Sequence, residues 1–284
     1  MFEIVKKEWL HEVIFLIEIK TPEIARKIRA GNFLVLRMRE GAERIPITVA
    51  EYNREKGTVT CIIQVIGQST KLLSTLEEGD HIKDVVGPLG KATEIEKYGT
   101  VGIVSGGLGI PLANLVAKEL QEAGNKVIGM VGARTEDLLV WEEEMSQYCE
   151  EMQYCTDDGS KGMKGFTTHL LEEKIAELAK KGKKLDMVFT VGPTIMMKFV
   201  SQITKKHDIP TIASLNPIMV DGTGMCGACR VTIDDKIQFA CVDGPEFDAH
   251  KVDFDELINR STQYKNQEKK ALDKYNKECG GKHK

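Results

Sequence analysis

Three cysteines, Cys226, Cys229 and Cys241, fall within sixteen residues, and Asp221 precedes them in the string Asp221-Gly-Thr-Gly-Met-Cys226-Gly-Ala-Cys229-Arg. The spacing is D-x4-C-x2-C-x11-C. With Cys in place of the Asp it becomes the C-x4-C-x2-C…C spacing of plant-type 2Fe–2S sites. Thiolates are the soft donors that iron in such clusters takes. Glycines 222, 224 and 227 let the backbone wrap closely round an inorganic core and turn amide groups toward its sulfides. Two blander readings stand beside this one. Cys-x2-Cys also holds structural zinc, normally with a second such pair or a paired His, and only His250 is near in sequence. Asp-Gly is a favoured turn, so Asp221 is either a fourth ligand or a residue that shapes the loop.

A second group of residues has the chemistry of a phosphate cradle. Val101-Gly-Ile-Val-Ser105-Gly106-Gly107-Leu-Gly109-Ile-Pro111 runs from an apolar strand into a helix. Glycines permit a tight turn whose amides approach a pyrophosphate, and the helix N-terminus adds a favourable dipole. Pro111 suits the first helical position, where its missing N–H costs nothing. The spacing G-G-x-G-x-P departs from the G-x-G-x-x-G dinucleotide fingerprint, so a tight turn without a ligand remains open. Further loops are expected on the same sheet edge: Gly132-Ala-Arg134-Thr135, Cys155-Thr-Asp157-Asp158-Gly159 and Val191-Gly192-Pro193-Thr194. Open α/β sheets bind ligands at that edge. Arg134 suits a 2′-phosphate, whereas Glu136 and Asp137 suit a free ribose hydroxyl, and the choice between NADP and NAD stays open.

The elements that must position these residues change texture along the chain. In residues 1–97, Glu12–Lys20, Asn32–Met38, Arg44–Ala50 and Thr58–Ile66 are apolar, β-branched runs broken by turn signals. They predict a small antiparallel β-barrel, with one helical interruption at Thr70–Glu78. Residues 98–214 alternate. Strands are predicted at Val101–Ser105, Lys126–Val131, Met152–Cys155, Asp186–Val191 and Thr211–Ser214. Helices are predicted at Pro111–Ala123, Leu138–Tyr148, Thr168–Lys181 and Thr194–Lys206. Such alternation predicts a parallel sheet covered on both faces. Residues 215–284 form a Gly- and Cys-rich module, followed from 264 by a polar tail that reads as a solvated helix or frayed end.

Bulk properties narrow the class. The chain has 284 residues, 42% apolar and 29% charged, with a formal net charge of -4, as expected of a globular protein with a real core. No basic face for nucleic acid is expected. The longest apolar runs, such as Val59–Ile66, are far shorter than the ~20 residues of a membrane helix. The start, Met-Phe-Glu-Ile-Val-Lys-Lys, lacks the pattern of an export signal, so the expected location is the cytoplasm. Seven cysteines without such a signal argue for a metal rather than a disulfide framework.

Barrel, dinucleotide unit and two-iron site, in that order, resemble the ferredoxin–NADP reductase-like flavoproteins over nearly the whole chain. The resemblance extends to the electron-transfer subunit of dihydroorotate dehydrogenase and to the small subunit of the electron-bifurcating NADH-dependent ferredoxin–NADP oxidoreductase, also known as a sulfide dehydrogenase subunit. Arg44-Ile-Pro46-Ile47-Thr48 looks like the family's flavin segment, with Pro46, Ile47 and Thr48 lining the isoalloxazine edge and Arg44 near the phosphate. In the dihydroorotate branch the Arg directly precedes the Pro, whereas here Ile45 intervenes. Val65-Ile-Gly67-Gln-Ser69-Thr70 resembles the second flavin segment, where Ser and Thr hold the pyrophosphate, and Gly87-Pro88-Leu-Gly90 resembles the turn that closes the barrel. Asp221 in place of the first cysteine is similar to the bifurcating branch.

The resemblance implies FAD, NAD(H) and a 2Fe–2S cluster held by Asp221, Cys226, Cys229 and Cys241. It also implies a larger flavin and 4Fe–4S partner in a heterodimer, which contacts ferredoxin. A nicotinamide would exchange a hydride with FAD, and the cluster would handle single electrons, with little acid–base chemistry from the protein and no catalytic side chain. Two alternatives are a dihydroorotate dehydrogenase subunit and, from another class, a redox-silent nucleotide-binding regulator with a zinc module.

Overall fold

In a computed structural model, which describes residues 1–279, the first part of the chain folds into a seven-stranded antiparallel sheet. Its strands are β1 (Phe2–His11), β2 (Ile14–Lys20), β3 (Phe33–Arg37), β4 (Ile45–Asn53), β5 (Thr58–Gln64), β6 (His81–Ile82) and β7 (Asp84–Leu89). The order is β6-β1-β2-β5-β4-β3-β7. The two edge strands are consecutive in sequence with Lys83 alone between them, so the sheet curls until its edges meet, as the barrel reading anticipated. Two short helices interrupt it. Helix α1 (Pro22–Lys27) starts at the Thr21-Pro22 pair, which sequence alone reads as a plain turn, because Pro fits a first helical turn. Helix α2 (Gln68–Leu73) begins earlier and ends sooner than Thr70–Glu78.

Strand β2 is apolar without alternation, and the packing gives the reason. Phe15, Ile17 and Ile19 face the barrel interior, while Ile14 and Leu16 face outward onto Ala50, Ile62 and Val140. Part of the barrel's outer wall is therefore a second core, closed by the next unit. Each such side chain contributes about 1.5–3 kcal/mol through burial.

The second unit comprises β8 (Thr100–Gly106), α3 (Gly109–Glu122), β9 (Lys126–Ala133), α4 (Glu142–Ser146), β10 (Glu151–Thr156), β11 (Met163–Lys164), α5 (Thr167–Lys180), β12 (Met187–Val191), α6 (Thr194–Lys206) and β13 (Thr211–Ser214). The predicted Leu138–Tyr148 helix is replaced by a 3-10 turn at Glu136–Leu138 and the short α4. Lys174, buried in α5, ties that helix to β10 through Glu151 at 2.6 Å. Strand β9 lies on one side of β8 and β12 on the other, which opens a crevice at their carboxyl ends.

The last unit contains a hairpin of β14 (Arg230–Ile233) and β15 (Lys236–Phe239), then β16 (Glu246–Asp248), α7 (Phe254–Arg260) and α8 (Lys265–Cys279). Strand β16 pairs antiparallel with β13, so the sheet is not parallel throughout: the C-terminal module supplies its edge. The polar tail is helical as α8, which packs against α2, with Lys71 Nζ donating to Asn276 Oδ1 at 2.7 Å. The rest of the predicted tail, 280–284, lies outside the described residues. No helix of the described residues is long and apolar enough to cross a membrane.

Candidate functional site

The cysteine loop is held by its own Asp. Asp221 Oδ1 accepts from the Thr223 amide at 2.8 Å and Oδ2 from the Cys226 amide at 2.7 Å. These bonds hold its carboxyl below the usual carboxylate range. Gly222, Gly224 and Gly227 all have positive φ, which L side chains rarely adopt, so the loop needs glycine at all three places. The Cys229 and Cys241 sulfurs are 3.2 Å apart and buried, and Cys226 is exposed. Burial, then the Cys229 thiol, push the Cys241 thiol up to about 12.

The donors thus fall into two pairs, Asp221 with Cys226 and Cys229 with Cys241. A two-iron core divides its four ligands between two metals, two to each, which is how these donors are grouped. The donor set therefore fits the cluster. His250 does not join it: its ring bonds the Thr204 hydroxyl on α6 at 3.0 Å. Cys61, Cys149 and Cys155 are packing residues, their thiols pushed up by burial to about 12, 12 and 11.

Two clefts adjoin this loop and the sheet edge. The larger, about 740 Å³, opens at the carboxyl ends of β8, β9, β10 and β12 and is lined by Gly106, Gly107, Gly132, Arg134, Asp157 and Pro193. Gly107 has φ +53 and open space where a Cβ would project, which suits close approach of a ligand to backbone. The smaller, about 160 Å³, lies where the three units meet. Pro46, Ile47 and Thr48 of β4 form one wall, Leu112 and Val191 another, and Met219 of the cysteine segment a third.

The sequence of the iron–sulfur cluster binding domain of dihydroorotate dehydrogenase B matches residues 216–253, the loop just described. The dihydroorotate dehydrogenase B (NAD(+)) electron transfer subunit homolog of Thermotoga maritima is 47% identical over 98% of this chain and 96% of its own length. The chain belongs to the dihydroorotate dehydrogenase B electron-transfer subunit family. Within that family, the Lysinibacillus sphaericus electron transfer subunit is 32% identical over 79% of this chain and 87% of its own. A chain of the NADH-dependent reduced ferredoxin-NADP oxidoreductase, a structure described for flavin-based electron bifurcation, superposes with TM-score 0.89 at 45% identity, covering 97% of this chain and 98% of that one. The Neisseria gonorrhoeae ferredoxin NADP+ reductase, solved with FAD and NADP, shares the fold (TM-score 0.58, 16% identity, 72% and 90% coverage).

In this family member, not every residue singled out by sequence lines a cleft. Arg44 is exposed just before β4. The Ser69 hydroxyl donates to Glu43, which sets the start of α2 beside that segment. Thr70 Oγ1 accepts from the Ile66 and Gly67 amides, so Gly67, Ser69 and Thr70 form one capped turn, while the Val65 amide before it donates to the Val13 carbonyl. Gly87 and Pro88 sit in β7, where a Cβ on Gly87 would meet Leu34 at 2.4 Å. Gly109 packs against the Val191 carbonyl, 2.3 Å from where its Cβ would stand, and is thus a packing residue of α3. Pro111 is the third helical residue rather than the first, still among the amides that need no intrahelical acceptor.

Thr135 and Asp158 shape their loops. Thr135 precedes the 3-10 turn and bonds Asp137, and Asp158 accepts from Ser160 at 2.6 and 2.9 Å. Gly192, at φ +146, abuts Gly106. Glu136 and Asp137 stand outside the cleft lining, and Asp137 instead bonds His11 of the barrel at 2.8 Å. Sequence reasoning missed Phe166 and Phe199, exposed aromatic rings at the larger cleft. The Gly165-Phe166-Thr167 loop carries a glycine signal that would have flagged one of them.

Proposed function

We propose that the chain is the electron-transfer subunit of a flavin-based electron-bifurcating ferredoxin–NADP oxidoreductase, with FAD in the smaller cleft, NAD(H) in the larger and a 2Fe–2S cluster on the 221–241 loop. The observation that carries this reading is the meeting of three units at one cleft. Met219, two residues before Asp221, lines it together with Pro46, Ile47 and Thr48. When bound, FAD exchanges two electrons with a nicotinamide, and the cluster carries them singly. The residues supply binding and orientation. Pro46–Thr48 brace the flavin edge, while Arg44, Ser69 and Thr70 gather at the barrel rim for its phosphates, with Val65, Gly67, Gly87 and Pro88 shaping that rim. Gly107, just before the fourteen-residue α3, leaves space for a nucleotide pyrophosphate, and Gly106 packs closely on Met196 and Pro193 beneath it. Arg134, Asp157 and Pro193 line the rest of that cleft, while Thr135, Asp158 and Gly192 shape the loops that carry them.

Barrel (1–97), dinucleotide unit (98–214) and cluster module (215–284) form the working divisions of a cytoplasmic subunit with a larger flavin and 4Fe–4S partner. The overlap with the bifurcating structure, 97% of the chain at 45% identity, favours this branch over dihydroorotate oxidation. The test is anaerobic purification with a visible spectrum and metal and flavin content. About two irons and one FAD per chain, bleached by NADH, support it. A colourless chain with zinc refutes it. Co-purification with a dihydroorotate-oxidising flavoprotein assigns the other branch.

A further inference from the structure

Behind the smaller cleft stands a carboxyl that the electron-transfer reading leaves unused. Glu246 of β16 sits directly opposite Ser214 of β13, and Ser214 opposite Val191 of β12. Opposed residues project from one face of a sheet, their Cβ atoms about 4.5–5.5 Å apart. Ser214 and Val191 both line the cleft, so Glu246 projects on the cleft's side, one strand behind its wall. Gly31, another wall residue, lies against the carboxyl: a Cβ there would stand 2.7 Å from Glu246 Oε1. Thr93 Oγ1 donates to the same oxygen at 2.7 Å. Backbone bonds fix the surroundings, Lys91 to Gly244 at 2.6 Å, Thr93 to Ala30 at 2.8 Å and Leu215 to Pro245 at 2.8 Å.

The titratable groups that reach this carboxyl are Glu119 of α3 and Tyr98 of the linker before β8. The barrel loop offers Gly31, and the flanking Pro245 and Phe247 are apolar. Burial, then Glu119, push the Glu246 carboxyl up to about 7, partly offset by the Thr93 hydroxyl.

We propose that Glu246 is a proton-holding positioning residue of the flavin cleft, gaining a proton as negative charge enters and losing it as the charge leaves. The proposal rests on the flavin reading of that cleft. A flavin held there would take up a hydride, which is two electrons and one proton with a net charge of minus one. The Glu246 carboxylate would bind a solvent proton and so offset that charge. When the two electrons left singly for an iron–sulfur carrier, the hydride's proton and the Glu246 proton would both return to solvent and restore the carboxylate.

One extra proton per two electrons makes the equilibrium tenfold more pH-sensitive per pH unit, about 30 mV for a two-electron couple. The experiment is a redox titration of the bound flavin, followed by absorbance from pH 6 to 9, in the parent, Glu246→Gln and Thr93→Val. The parent is expected to show the steeper segment from near pH 7, Glu246→Gln to lack it, and Thr93→Val to have it displaced to higher pH, since its carboxylate loses a donor. Superimposable parent and Glu246→Gln profiles, or an unmoved Thr93→Val profile, overturn the proposal. A parent chain that carries no flavin overturns the reading of the cleft and the proposal with it.

Discussion

Replacing Glu246 by Gln tests the junction behind the smaller cleft without any cofactor. Gln keeps the size and the acceptor for Thr93 but is permanently neutral. The parent carboxyl, raised from 4.5 to about 7, binds more protons in the folded than in the unfolded chain between those values. Its contribution to stability is fully present below pH 4.5 and is lost as pH rises through 7. The difference corresponds to about 3 kcal/mol, using ~1.4 kcal/mol for each tenfold change in proton affinity. Stability of the Gln variant relative to the parent is therefore expected to climb by about that amount between pH 4.5 and 8, equivalent to roughly 5–10 °C in melting temperature. Urea unfolding midpoints of both chains, measured across that range after removal of any bound flavin, give the result directly. Parallel curves would show that the carboxyl is ordinary in the folded chain and would refute the argument from its surroundings.

Other substitutions test other joints. Gly109→Ala places a methyl against the Val191 carbonyl and should lower stability by about 1–3 kcal/mol in urea titrations; an unchanged midpoint would mean that α3 sits farther from β12. Cys226→Ser, Cys229→Ser and Cys241→Ser should each reduce iron content and visible absorbance, whereas buried Cys61→Ala should leave iron unaltered. Iron lost equally from all four variants would dissolve the distinction between ligand and packing cysteines. Asp221→Cys should keep iron bound and lower the cluster's reduction potential. A potential identical to the parent's from pH 6 to 9 would remove Asp221 from the ligand set and leave it as the loop brace that its bonds to Thr223 and Cys226 describe.

Long periodic segments were legible because burial follows pattern. Thr194–Lys206 and Thr211–Ser214 have the bounds that periodicity predicted. The cluster loop was legible for a different reason: thiols and positive-φ glycines are rare residues in a fixed order, and local sequence alone sets their spacing. The hairpin β14–β15 was not, because its turn is Asp234-Asp235 with both residues at positive φ, without the glycine that usually marks such a turn. The displaced roles of Gly109, Thr135 and Asp158 share one cause. A glycine or a hydroxyl beside a strand end has the same spelling whether it faces a ligand or a neighbouring backbone, and only the packed chain distinguishes them.

The same limit hides Glu246, whose neighbours come from residues 31, 93, 119 and 214. No local pattern around Gly244-Pro245-Glu246 foretells that a carboxyl there will be half-buried among three units. The burial follows from β16 joining the sheet beside β13, which makes the cysteine module an extension of the dinucleotide unit rather than a tethered appendage. Gly222 completes the attachment from the other side, its missing side chain admitting Leu89 and Val35 of the barrel, 2.8 and 3.0 Å from where a Cβ would stand. Moving the cysteine loop away from the cleft would cost both the β13–β16 pairing that joins it to the dinucleotide unit and the barrel contacts that Gly222 admits.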